Sequence, residues 1–122
     1  MMRNVPVTCE VRYRLDPERI ADFHDYARIW TMLIERHGGT HHGYFMPRKK
    51  PEGAAVSFPD AGGEGAADIA VALFTFPDEA TYLVYRDKVA EDADGNAANA
   101  RFLENPPFKS YERTFLQPLS GD

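Results

Sequence analysis

Hydrophobic and polar residues alternate from Val7 to Leu15. Val7, Cys9, Val11, Tyr13 and Leu15 fall on one face, and Thr8, Glu10, Arg12 and Arg14 on the other. A period of two with β-branched residues predicts a half-buried strand. After Leu15 the period changes. Ile20, Phe23, Ala27, Trp30 and Ile34 recur at helical spacing, widened by Tyr26 and Leu33. That stripe predicts an amphipathic helix whose apolar side, Trp30 included, packs against a sheet. Asp16 can accept free backbone N–H groups as N-cap, Pro17 presets φ at the first helical position, and Glu18 faces the positive end of the dipole. His37 suits the negative end, and Gly38-Gly39 stops the helix.

Residues 40–46 predict a second strand, in which His41, Gly43 and Phe45 share one side and His42, Tyr44 and Met46 the other. One histidine of the pair then faces the helices. His42 is expected there, because Tyr44 and Met46 share its face and would wall a pocket. Residues 47–66 exceed the ~12–15 usual for a structureless loop. They are either a lid or a hairpin in which residues 54–58 form a short extra strand.

Residues 67–76 predict a strand apolar on both faces, with Ile69, Val71 and Leu73 on one and Ala70, Ala72 and Phe74 on the other. Asp78 is placed to cap a helix running through Tyr82, Leu83, Tyr85 and Val89 until Asp94-Gly95-Asn96 breaks it. Asn96 would cap a short third helix through Ala100, Phe102 and Leu103. Pro106-Pro107 ends that helix, and residues 108–116 read as the last strand.

The order β-α-β-β-α-β, with right-handed crossovers, predicts one ferredoxin-like α+β domain over residues 1–122. Its four-stranded antiparallel sheet carries both helices on one face. The uncovered face is expected to hold Ala70, Ala72 and Phe74, too apolar to stay wet. A second copy packed sheet to sheet, as in a dimeric α+β barrel, would cover it, so the expected partner is the chain itself.

Composition narrows the setting. Hydrophobic residues make up 43% and charged residues 27%, as in an ordinary globular protein. The net charge of −5 comes without a basic stripe, so nucleic acid is not an expected partner. One cysteine cannot form an internal bridge, which suits a reducing compartment. The start, Met1 to Pro6, lacks the apolar core of a signal peptide, and the longest apolar run, Ile69 to Phe74, is too short to span a bilayer. The cytoplasm is the expected location, with no membrane partner.

Several blocks together resemble the NIPSNAP family. Val11-Arg12-Tyr13-Arg14-Leu15-Asp16-Pro17 leads through to Phe23, and His41-His42-Gly43-Tyr44-Phe45 forms the second block. Ala72-Leu73-Phe74-Thr75-Phe76-Pro77-Asp78-Glu79 runs on through Tyr82 to Tyr85-Arg86, and Ser110-Tyr111-Glu112-Arg113-Thr114-Phe115-Leu116 closes the set. Glu18 stands where the family pattern has glycine. The resemblance implies the dimeric α+β barrel fold, whose wider group includes cofactor-independent monooxygenases and haem-binding enzymes with a pocket between sheet and helices. It implies little chemistry for this chain, since fold does not carry function.

Adjacent His41 and His42 point to opposite faces and cannot chelate one ion, and no other metal-ligand spacing occurs, so no metal is expected. No cofactor motif appears. Cys9 reads as an inert core thiol, no serine sits in a nucleophile elbow, and Arg48-Lys49-Lys50 reads as solvated charge. Tyr13, Tyr26, Trp30, His41 and Tyr85 are the candidate lining of a ligand pocket, with His42 and Tyr44 as candidate catalytic groups. Core packing alone would account for Trp30 and Tyr26. The sequence thus predicts a small-molecule-binding homodimer, a cofactor-free monooxygenase or isomerase if its ligand turns over. The alternatives are a non-catalytic assembly protein and a haem binder.

Overall fold

In a computed structural model, which describes residues 5–52 and 65–119, the chain forms a four-stranded antiparallel sheet in the order β2-β3-β1-β4. The strands are β1 (Val7–Leu15), β2 (Thr40–Phe45), β3 (Ile69–Phe76) and β4 (Phe108–Leu116). The helices are α1 (Ile20–Arg36), α2 (Glu79–Glu91) and α3 (Ala93–Leu103). This is the expected ferredoxin-like order with a longer third helix. The alternatives for the connection after β2 fall on residues 53–64, outside those described.

Alternation settles which side of the sheet meets the helices. Cys9, Val11, Tyr13 and Leu15 of β1 are buried with Ala70, Ala72, Phe74 and Phe76 of β3. Phe23 and Ile34 of α1 and Tyr82 of α2 close over them. Covering Phe23, only 1% exposed, contributes about 1.5–3 kcal/mol. The Ala70, Ala72 and Phe74 face is therefore the helix side, not the uncovered side expected from the sequence. The small alanines leave room for aromatic rings above them, and that room decides the matter. The outer face instead carries half-buried Ile69, Val71 and Leu73, beside the polar Thr8, Glu10 and Arg12 of β1.

The start of α1 is tighter than a plain α-helix: Asp16 accepts from the Glu18 N–H, and Pro17–Arg19 form a 3-10 turn. Trp30 departs from its predicted place. It is half-buried in a second cluster with Leu33, Ala98 and Phe102, so it packs toward α3. The stripe on α1 is wide enough to serve the sheet and α3 at once.

Helix α3 is capped by Asp92, not by Asn96. Its carboxylate accepts from the N–H groups of Asp94 and Gly95, and it also binds Arg36 at 2.8 Å and His37 at 2.7 Å. Gly95 does not break a helix. It lies inside α3 where a Cβ would collide with the Val89 carbonyl, so glycine permits close approach of α3 to the end of α2.

Candidate functional site

Between the helix side of the sheet and the helices lies a cavity of about 340 Å³, within the ~300–1,000 Å³ range of small-ligand sites. Strand alternation supplies its floor, with Val11 and Tyr13 from β1 and Phe74 from β3. Tyr26 and Trp30, one helical turn apart, come from α1. On α2, Tyr82, Tyr85, Arg86 and Val89 also line it, at the spacing that puts side chains on one helical face. Arg113 of β4 pairs with Val11 in the register and so shares its side.

A bulge in β2 completes the wall. His41 pairs with Phe74 and Gly43 with Leu73, leaving His42 as the extra residue. Gly43 holds φ at +120°, a conformation that side-chain-bearing residues rarely take. Beyond the bulge Tyr44 pairs with Ala72, so Tyr44 and His41 return to one face. Their rings stack at 4.8 Å with 12° between planes, and His41 also stacks on Phe74. His42 points to the outer face, where it bonds to Thr75 Oγ1 at 2.8 Å. The expectation that His42 faces the helices is therefore corrected: His41 does, because the extra residue resets the alternation. His42 and Tyr44 lie on opposite faces.

Of the predicted lining, Tyr13, Tyr26, Trp30 and Tyr85 border the cavity together with Tyr44. His41 stands behind Tyr44. Its Nδ1 accepts the Gly43 N–H at 3.0 Å, which assigns the neutral ring's proton to Nε2. That Nε2 is buried and finds no protein partner among the described residues.

The phenols set the site's polarity. Tyr13 and Tyr26 share a hydrogen bond of 3.0 Å between their hydroxyls. Tyr13 also donates toward the Tyr44 hydroxyl, so three hydroxyls share two bonds and the O–H at the end of the chain has no phenol acceptor. Burial, with smaller contributions from neighbouring tyrosines, pushes Tyr13, Tyr26 and Tyr44 well above the ordinary tyrosine value, and burial pushes Tyr85 up to about 12. All four are neutral hydrogen-bonding groups at physiological pH and not bases. Cys9, raised to about 11 chiefly by burial, stays a thiol, in keeping with its expected inert role.

Tyr82, one of the aromatics expected to converge between sheet and helices, also lines the cavity, and sequence reasoning missed Arg86, Arg113 and Asn99 there. Arg113 sits in a strand of mixed polarity, and only its pairing with Val11 reveals its side. Among the described residues no cluster of His, Cys, Asp and Glu could hold a metal ion, and no helix is long and apolar enough to cross a membrane.

The NIPSNAP family model matches residues 10–120. A NIPSNAP family protein of Agrobacterium tumefaciens superposes with a TM-score of 0.66 at 15% identity, over 100% of this chain and 93% of the other. A NIPSNAP-like domain protein of Burkholderia xenovorans gives 0.66 at 16% identity, over 98% and 90%. A candidate antibiotic biosynthesis monooxygenase of Nitrosomonas europaea gives 0.58 at 8% identity, over 99% and 97%. No curated protein matches the chain.

Proposed function

The chain belongs to the NIPSNAP family, and from that starting point we propose that it binds a small aromatic or apolar molecule between its sheet and helices. The observation that carries this reading is the cavity itself: about 340 Å³, walled by Tyr13, Tyr26, Trp30, Tyr44 and Tyr85, with phenol hydroxyls, Asn99, Arg86 and Arg113 as its polar points. Aromatic walls favour a flat ligand, and neutral phenols donate to an oxygen acceptor on it.

Turnover would add cofactor-free oxygenation or isomerisation; the Nitrosomonas europaea relative in fold is named a monooxygenase. A base would then have to reach the ligand, yet Tyr13, Tyr26, Tyr44 and Tyr85 hold their protons, and His42 lies on the outer face. A haem would need an axial ligand, and no histidine borders the cavity among the described residues. Binding is thus the reading the side chains support.

The protein is proposed to act as a homodimer. The half-buried strip of Ile69, Val71 and Leu73, with exposed Phe45 beside Val71, suits a second sheet. Pure assembly is the competing reading. Titration of aromatic fragments against the emission of Trp30, the only tryptophan, separates the two. Binding should quench or shift that emission, and Val89→Phe, which fills the cavity, should abolish the change. An unchanged response in Val89→Phe, or none in the native protein across a fragment panel, would favour assembly.

A further inference from the structure

Most of the arginines among the described residues are paired. Arg12, Arg14, Arg19, Arg28, Arg36 and Arg101 each pair with a carboxylate. Arg86 and Arg113, the two that line the cavity, have no carboxylate partner among the described residues. Among the described residues Arg48, outside the cavity, also lacks an ion pair, and it donates to the Lys49 carbonyl. An acidic chain, with 19 carboxylates against 14 basic residues, has enough acids to pair every arginine. The groups that act electrostatically on Arg113 are the phenols of Tyr82, Tyr111 and Tyr85 and the Cys9 thiol, with no carboxylate among them. Two arginines thus line one aromatic cavity without a counter-charge among the described residues.

We infer that the occupant is an aromatic carboxylate, its ring between the tyrosine and Trp30 walls and its carboxylate held by Arg113 with Arg86 beside it. A guanidinium presents a planar fork that matches a carboxylate bidentately. The remaining phenol O–H of the Tyr26–Tyr13–Tyr44 chain can donate to the same anion. A phosphate would bring a second charge into a site whose other polar groups are neutral, at a greater desolvation cost. This inference rests on the cavity being a ligand site and goes further by naming the ligand's charge.

The test compares 2-naphthoate, the neutral 2-naphthamide and 2-naphthyl phosphate by isothermal titration calorimetry on the intact protein. Naphthoate should bind at least about tenfold more tightly than the amide, the scale of one charge-assisted hydrogen bond. Arg113→Gln should remove most of that preference, weakening naphthoate binding far more than amide binding. Arg113→Lys should restore part of it, and Arg86→Gln should weaken it. Thermal melts of each variant confirm folding, and the native-protein comparison stands even where a variant fails to fold. Equal binding of acid and amide would overturn the charge assignment while the cavity reading survives. Tighter binding of the phosphate would overturn the choice of carboxylate. Failure of every naphthyl compound to bind would overturn both.

Discussion

Gly43 shows how one residue sets the site. Its φ of +120° lets β2 bulge, and the bulge turns His41 and Tyr44 toward the helices together. A Cβ at Gly43 would meet nothing closer than 3.6 Å, so space is not the obstacle. Gly43→Ala is expected to cost about 1–3 kcal/mol through backbone strain alone, read from denaturant unfolding. A neutral result would mean that the bulge does not need glycine. His41 makes a second residue-scale prediction. Burial, ahead of the opposing pull of Glu35, holds its imidazole below the ordinary histidine value. The unfolded chain then takes up a proton near pH ~6.5 that the folded site refuses. The stability contributed by neutral His41 is complete above that pH and is lost as pH falls toward the folded value. Wild type should therefore lose more stability between pH 7.5 and 5 than His41→Phe does, and equal losses would contradict the assignment.

Whole elements were more legible in the sequence than their joints. The limits of β1 and β4 match the expected ones, and β3 begins two residues later, because alternation and buried runs are written directly in side-chain type. The β2 bulge was not legible: His41-His42-Gly43 fits a regular strand equally well until the pairing with Phe74 and Leu73 is known. Asp94-Gly95-Asn96 has the composition of a break, yet α3 runs through it because Asp92 supplies the cap and Gly95 the clearance. Helix α3 thus depends on Asp92, whose carboxylate is held below its usual value first by Arg36 and then by His37. Its stabilising contribution is present above the unfolded value of about 3.9 and is lost as pH falls below it. Thermal melts near neutral pH should rank wild type above Asp92→Asn and Asp92→Asn above Asp92→Ala, since asparagine keeps the cap and loses the charge. Gly95→Ala should cost about 1–3 kcal/mol by overpacking against Val89. Trp30→Ala should cost less than the ~3–5 kcal/mol of a fully buried tryptophan, because Trp30 is half-buried beside α3.

At the scale of the whole molecule, two surfaces divide the proposed work. The outer sheet face is proposed to assemble, and the helix side to hold the ligand. Light scattering at micromolar concentration should give about twice the 13.8 kDa chain mass, and Val71→Arg should return it to one. The tyrosines of the cavity were foreseeable as aromatics on converging elements. Arg113 was not, since the side of a mostly exposed strand is fixed by its neighbour and not by its own pattern. The most direct test of the site is nuclear Overhauser contact between a bound aromatic probe, 2-naphthoate, and assigned ring protons of the protein. Contacts to Trp30, Tyr44 and Tyr85 are predicted. Contacts confined to Leu83, Phe115 and Leu116, which line a separate open groove, or to Phe45 on the outer face, would contradict it.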